Sequence, residues 1–329
     1  MNELPRNRIL QGDAATVLRR LPEASVDCVV TSPPYFALRD YGHVGQLGLE
    51  DTVHGWVEGL RTVCREIGRV LKPSGAFWLN VGDSFSRHEQ YGAPPKALLL
   101  GPERLAIGLA DDGWLVRNRV VWAKSNAMPS SVRDRLTMSW EVLYLLVRSP
   151  SYYFDLDAIR EPHTTTARPQ RTVTQPDGKD IGAGPLAANR GGLAKVKAAG
   201  IVGHRLGKNP ADVWRMATSS YRGGHFATFP TELVRRPISA TCPAKACLTC
   251  GKPWQITRPE ADGPVGPRCG CGEAAQPRPG VVLDPFFGSG TVGVVAQELG
   301  RDWLGVELNP AYIALAQERL YDNQQQAAA

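Results

Sequence analysis

The sequence predicts an α/β protein, and three observations carry that expectation. Short apolar runs alternate with amphipathic helical stretches through the N-terminal half, the pattern that a sheet layered with helices requires. The last fifty residues hold a compact strand–helix–strand–helix succession, Val281–Leu283, Ser289–Leu299, Trp303–Leu308 and Ala311–Leu320. Of the 329 residues, 43% are hydrophobic, enough for one large core and a smaller module beside it.

Taken in order, Arg8–Leu10 is predicted as a short strand, followed by Gly12-Asp13 and a helix over Ala14–Leu21. Val26–Val30 is wholly apolar apart from Asp27 and reads as a buried strand. Val57–Leu71 places Leu60, Val63, Cys64, Ile67 and Leu71 on one helical face, and Lys72-Pro73-Ser74-Gly75 stops it. Phe77–Val81 is the next strand, Ala97–Ala110 a helix and Leu115–Trp122 a strand. Leu143–Val147 and Tyr152–Phe154 read as an antiparallel pair across a turn at Ser149-Pro150. The regular pattern returns at Asp212-Val213-Trp214, with a short helix over Pro230–Arg236. Gln324–Ala329 reads as a frayed tail.

Two stretches break this regularity. From His163 to Pro210, Gly, Pro, Ala and Thr dominate, and eight cations (Arg168, Arg171, Lys179, Arg190, Lys195, Lys197, Arg205, Lys208) outnumber Asp177 and Asp180. No period persists there, so it is expected to be an insertion outside the core. Thr241–Pro279 carries five of the seven cysteines, four of them paired as Cys247-x-x-Cys250 and Cys269-x-Cys271. Such pairs in a cytosolic chain point to metal before disulfide, and Cys247, Cys250, Cys269 and Cys271 are the candidate ligands of a structural Zn²⁺. The second pair is one residue short of the usual spacing, which leaves Cys242 as an alternate ligand. Buried free thiols are the competing reading. The chain thus divides into 1–162, the insertion 163–210, a return to the core at 211–240, the cysteine module 241–279, and 280–323.

The formal charge of +6 favours a polyanionic partner. No apolar run is long enough to span a membrane and no secretory leader is evident, so a soluble, cytoplasmic protein is expected.

Chemistry concentrates in two motifs. In "VDCVVTSPPYFALRDYG" (Val26–Gly42) a buried strand delivers Ser32-Pro33-Pro34-Tyr35. Two prolines fix φ twice and remove two donors, so the loop is stiff and offers carbonyl acceptors between a hydroxyl and an exposed aromatic ring. That slot suits a flat ring bearing an amino group. In "VVLDPFFGSGTVGVVAQELGRDWLGVELNP" (Val281–Pro310) a strand ends in Asp284, a glycine loop opens a helix, and Glu307 closes the next strand 23 residues on. Glycines admit a ligand close to the backbone, and a carboxylate at the second strand can grip a ribose diol. Gly288-Ser289-Gly290-Thr291-Val292-Gly293 has the GxGxxG spacing of a nucleotide-binding turn, whereas GxxxxGK[ST] is absent, and the expected ligand is a nucleoside without pyrophosphate, such as S-adenosylmethionine with its ammonium near Asp284. An ordinary strand-to-helix turn with incidental glycines is the bland alternative.

"TSPPY" followed far downstream by "DPFFGSGT" resembles the β-class DNA amino-methyltransferases, which methylate exocyclic nitrogens and carry the catalytic motif first and the cofactor loop last. "RVLKPSGAFWLNVGDS", "DGWLVRNRVVWAK" and "HFATFP" extend the resemblance over all but 163–210 and the cysteine module. It implies a Rossmann-like methyltransferase sheet in circularly permuted motif order, with a small zinc-ribbon-like insertion. It also implies double-stranded DNA as substrate, S-adenosylmethionine as methyl donor and a cognate restriction endonuclease as a partner.

The same resemblance implies site roles. Ser32, Pro33, Pro34 and Tyr35 would hold a flipped-out base, with Ser32 Oγ and a Pro33 carbonyl holding the amine hydrogens and Tyr35 stacking on the ring. Asp284, Phe286, Gly288, Gly290, Thr291 and Glu307 match the cofactor loop and ribose acid. Asp13 resembles an adenine-contacting acid, and His225 and Phe226 match the methionine-end segment. Asp83 is a candidate proton acceptor, or equally a capping residue. Ser at the first slot position points to cytosine N4, where adenine-N6 enzymes usually carry Asp or Asn. Carbon-5 methylation is disfavoured, because the chain has no Pro-Cys nucleophile. The rival classes are a zinc-ribbon nucleic-acid-binding protein, which leaves both motifs unexplained, and a nicotinamide oxidoreductase, which leaves the Ser32–Tyr35 slot unexplained. The insertion 163–210 is the candidate target-recognition region.

Overall fold

A computed structural model describes residues 3–163, 204, 206–218, 229–254, 269–272 and 276–328. Most of the chain, 1–155 with 212–329, forms one compact unit. In chain order its elements are β1 (Arg8–Gln11), α1 (Ala14–Leu18), β2 (Val26–Thr31), α2 (Val53–Val70), β3 (Leu71–Val81), α3 (Gly101–Asp111), β4 (Leu115–Lys124) and β5 (Trp140–Val147). There follow β6 (Val213–Met216), α4 (Thr231–Thr241), β7 (Ala246–Cys247), β8 (Pro277–Arg278), β9 (Val281–Asp284), α5 (Thr291–Glu298), β10 (Asp302–Glu307) and α6 (Pro310–Ala328).

Eight strands make one sheet in the order β1-β10-β9-β2-β3-β5-β4-β6, and β5 alone runs against its neighbours. Every residue of β2 is buried, as expected of a strand covered on both faces. Val29 joins a core with Leu18, Trp56, Leu60, Leu105 and Leu109 from α1, α2 and α3. Its neighbours Cys28 and Val30 face the opposite layer, with Val234, Ile238, Val295 and Leu320 from α4, α5 and α6. The alternation of side chains along a strand thus sorts the helices into two layers. Because β9 pairs beside β2, the two motif-bearing strands end side by side although they lie at opposite ends of the sequence.

Several boundaries depart from the sequence reading. Helix α2 starts at Val53, a turn earlier than expected, because the Thr52 side chain caps it by accepting from Gly55 N at 2.9 Å. The Lys72–Gly75 stretch expected as a stop lies within β3, where the register jumps from Val26↔Leu71 to Cys28↔Ala76. Tyr152–Phe154 forms no strand; β5 pairs instead with β3 and β4. The tail expected to fray is helical to Ala328.

A second unit, Leu156–Ala211, is described only in part. Within it Glu161 and Lys208 exchange both backbone hydrogen bonds, and Arg160 pairs with Asp157 at 2.6 Å. Residues 164–203 and 205, which hold most of the basic insertion, lie outside the described residues.

Candidate active site

The ends of β2, β3, β9 and β10 enclose a cavity of about 520 Å³, lined by Ser32–Tyr35 on one side and Phe286–Ser289 with Glu307 on the other. The cleft beyond the carboxyl ends of sheet strands is where open α/β sheets bind ligands.

The Ser32–Tyr35 loop is braced at several points. Thr31 Oγ1 donates to Asp284 Oδ1 at 2.5 Å, Trp56 Nε1 to the Pro34 carbonyl at 2.9 Å, and Ser84 Oγ to the Phe36 carbonyl at 2.9 Å. The Pro34 carbonyl is therefore engaged by Trp56. Tyr35, expected at the surface, is half-buried. Its hydroxyl donates to Glu141 Oε2 at 2.6 Å and lies 3.2 Å from both Asn80 Oδ1 and Ser32 Oγ. Gly82 makes room for the ring, since a Cβ there would lie 2.6 Å from Tyr35 Cε2. Burial, together with the Glu141 carboxylate, pushes the phenol well above its ordinary pKa, so it stays neutral. Lys124 Nζ holds the other oxygen of Glu141 at 2.5 Å.

Glu141, Lys124 and Asn80 all line the cavity, and the sequence reading assigned none of them a role. The one available signal was an isolated acid opening the apolar run Val142–Val147.

On the cofactor side, Gly288 and Gly290 take left-handed backbone conformations, φ 51° and 78°, which glycine adopts without strain. The turn they make presents Gly288 N to Glu307 Oε2 at 2.7 Å, while Glu307 Oε1 accepts from Asn309 N at 2.8 Å. Burial raises the Glu307 pKa. Thr291 lines the cavity and accepts from Arg319 at 2.8 Å. Gly290, at the cap of α5, is not among the lining residues.

Asp284 lies beneath the loop and does not line the cavity. Its Oδ1 accepts from Thr31 and, at 3.0 Å, from Phe286 N, and burial pushes its pKa up to about 7. Asp13 reaches the cavity wall and also caps α1, accepting from Thr16 N at 2.8 Å.

Asp83 is not brought to the cavity. Its carboxylate accepts from Ser84, Leu100 and Gly101 N at 2.8, 3.0 and 3.1 Å, anchoring the start of α3. That is the capping alternative, favoured because a helix start leaves N–H groups that a carboxylate satisfies. His225 and Phe226 lie outside the described residues.

The four cysteines converge. The thiols of Cys247, Cys250, Cys269 and Cys271 all lie within 4.8 Å of one another. Zn–S bonds of about 2.3 Å in a tetrahedron place sulfurs roughly 3.8 Å apart, so this donor set fits the metal. Gly251 N donates to the Cys247 carbonyl at 2.8 Å, closing the knuckle. Backbone N–H groups of Cys250 and Thr249 lower the Cys247 thiol to about 6, while hydrogen bonds with Cys250 and Cys269 hold the Cys271 thiol up at about 12. Cys242, the alternate ligand, is instead buried in the core with Cys28.

Residues 26–318 match the DNA methylase family model N6_N4_Mtase. The chain belongs to this family. The methyltransferase is 37% identical to the Type II methyltransferase M.XycI of Xanthomonas campestris pv. cyanopsidis, over 95% of this chain and 87% of that protein. It is 38% identical to M.Cfr9I of Citrobacter freundii, over 97% and 89%. In fold it is similar to the cytosine-N4-specific PvuII DNA methyltransferase, with TM-score 0.58 and 18% identity over 98% of this chain and 93% of that one. TTHA0409 of Thermus thermophilus, complexed with S-adenosyl-L-methionine, aligns with TM-score 0.52 at 23% identity, over 96% and 95%. The methyltransferase therefore has the Rossmann-like sheet and permuted motif order that the sequence implied, and it is a DNA methyltransferase. No helix among its described residues is long and apolar enough to cross a membrane.

Proposed function

We propose that this DNA methyltransferase modifies cytosine N4 at a specific duplex sequence, with S-adenosylmethionine as methyl donor. The observation that carries the reading is the single cavity shared by the Ser32–Tyr35 slot and the Phe286–Ser289 loop. A base turned out of the duplex enters the slot beside Ser32 and Tyr35, and the donor lies along Asp13, Gly288 and Glu307. The bound donor supplies an electrophilic methyl group on a sulfonium.

What the chain contributes is positioning. The exocyclic amine is a weak nucleophile, because its lone pair is delocalised into the ring. Acceptors at Ser32 Oγ and the Pro33 carbonyl hold its two hydrogens and turn the lone pair towards the methyl group. Glu307 takes the ribose diol, exchanging the Gly288 N–H for ligand hydroxyls. Ser32 favours cytosine, and adenine N6 is the second reading because it presents the same amine. The cysteine cluster holds one structural Zn²⁺, with four thiolates and no open position for catalysis. The insertion 163–210 supplies target recognition, and a restriction endonuclease acts at the same site.

Nucleoside analysis of DNA treated with the purified protein and labelled S-adenosylmethionine tests the reading. N4-methylcytosine supports it, and N6-methyladenine moves the assignment to the second reading. 5-Methylcytosine, or no labelled base, overturns both.

A further inference from the structure

A serine hydroxyl is a poor reader of an amine unless something fixes its proton. A carboxylate in the first slot position can only accept, so it selects an N–H donor without help. A hydroxyl both donates and accepts, and would bind a ring carbonyl as readily as an amine. The surroundings of Ser32 remove that ambiguity.

The chain of hydrogen bonds has one direction. Lys124 Nζ donates to Glu141 Oε1 at 2.5 Å, which pairs one carboxylate oxygen with a cation and leaves the other facing Tyr35 as an acceptor. Its Oε2, 2.6 Å from Tyr35 Oη, takes the phenol proton. The other group flanking that hydroxyl is Asn80 Oδ1 at 3.2 Å, also an acceptor, because Asn80 Nδ2 is committed to the Val142 carbonyl at 3.0 Å. Both flanking groups draw the Tyr35 proton away from Ser32. The 3.2 Å contact between Ser32 Oγ and Tyr35 Oη is then satisfied only with Ser32 as donor.

We infer that Lys124, Glu141 and Tyr35 form a polarity relay that makes Ser32 Oγ an obligate acceptor, so that the slot reads an exocyclic amine against a ring carbonyl. Glu141 and Lys124 are positioning residues in this scheme, acting through Tyr35. Buried hydrogen-bonding groups left mismatched against a wrong partner give strong discrimination, which is what such a relay exploits. The inference rests on the proposal that the target base enters the Ser32 slot.

The test uses the full chain and a duplex carrying the sequence it methylates in expressing cells, identified by modification-sensitive sequencing. A second duplex replaces the target base by its carbonyl counterpart, uracil for cytosine or hypoxanthine for adenine. The readouts are kcat, KM for S-adenosylmethionine, and the ratio of affinities for the two duplexes. Tyr35→Phe keeps the ring but removes the acceptor of the Ser32 proton. Its affinity ratio should move towards the carbonyl duplex by roughly tenfold, with kcat lowered and KM for S-adenosylmethionine unchanged. Glu141→Gln turns its amide N–H towards Tyr35, since its carbonyl must face Lys124, and should shift the ratio in the same direction by less. Comparing each ratio with wild type cancels any difference in how easily the two bases leave the helix. Either variant, folded and with the wild-type ratio, overturns the relay. Ser32→Ala separates the premise from the inference: undiminished methyl transfer in that variant overturns the slot itself, and the relay with it. Lost transfer in Ser32→Ala beside wild-type ratios in the other two overturns the relay alone.

Discussion

Arg278 donates to Asp27 at 3.0 Å, joining residues 251 positions apart and tying the foot of the cysteine module to the central strand β2. Lys72 Nζ meets the other Asp27 oxygen at 2.5 Å and reaches the Gly251 carbonyl of the knuckle at 3.3 Å. Asp27 is only 3% exposed, and Lys72 and Arg278 are each 8% exposed. Burial alone pulls the Lys72 pKa down, and the Asp27 carboxylate opposes that pull. The strand that ends in the base slot therefore shares a buried ionic joint with the module.

Asp27→Ala should destabilise the protein by about 3–5 kcal/mol, because two cations would remain buried without their carboxylate. Urea denaturation of variant and wild type measures it. A difference below roughly 1 kcal/mol would mean that water or rearrangement satisfies Lys72 and Arg278.

Metal removal should loosen the module and leave the sheet folded. The pairing of β7 with β8 is two residues long and Ala246 and Cys247 belong to neither core cluster, whereas β2, β3 and β5 carry a core of their own. Purified protein should hold one equivalent of zinc; less than about half an equivalent, with all four thiols freely titratable, contradicts the assignment. Chelation should expose Cys247, Cys250, Cys269 and Cys271 to a thiol reagent while far-ultraviolet circular dichroism changes little.

Glu307→Ala should weaken S-adenosylmethionine binding by roughly 1–3 kcal/mol, the scale of hydrogen bonds to a charged group. Calorimetric titration measures it, and wild-type affinity would remove Glu307 from the ribose site. The same variant leaves Gly288 N and Asn309 N without their acceptor, so a modest loss of stability should accompany it.

The buried carboxyl of Asp284 predicts a pH dependence of stability. Its folded pKa of about 7 lies above the 3.8 of the unfolded chain, so the native state binds the proton more tightly. Its stabilising contribution is complete below pH 3.8 and is lost as pH rises through about 7. Burial raises Glu307 and Asp83 in the same direction. Asp284→Asn keeps an acceptor for Thr31 and Phe286 N and should flatten this decline, gaining on the order of 2–4 kcal/mol over wild type at pH 8. Denaturation of both proteins without ligand at pH 5 and pH 8 decides it; an unchanged difference between the two pH values would contradict the assignment.

Much of the fold was legible because its signals are local. The buried run Val26–Val30 and the spacing of Leu60, Val63, Cys64 and Ile67 follow from strand and helix periods that neighbours do not alter. Tyr152–Phe154 misled for the opposite reason: its aromatic residues suit a strand, but β5 already pairs with β3 and β4 on its two sides. The placement of Ser32–Tyr35 and Glu307 at strand ends beside one cavity was legible because loop stiffness and strand-end carboxylates are written in sequence. Glu141 and Lys124 were not. Their meaning depends on the antiparallel register of β4 and β5, which sets Trp122 opposite Glu141 and Ala123 opposite Trp140 at the cavity end. Asp83 could not be separated into proton acceptor or cap until α3 was placed against it.

The most direct measurement of the central claim, that the Ser32–Tyr35 slot holds the reacting base, is the methyl-transfer rate of Tyr35→Ala on duplex DNA. Cofactor affinity and thermal midpoint are measured on the same preparation. The account predicts a rate lower by roughly 100-fold or more, the scale of a misplaced reacting group, with S-adenosylmethionine binding retained and the fold intact. A folded, cofactor-binding Tyr35→Ala protein that transfers methyl groups at the wild-type rate would contradict it.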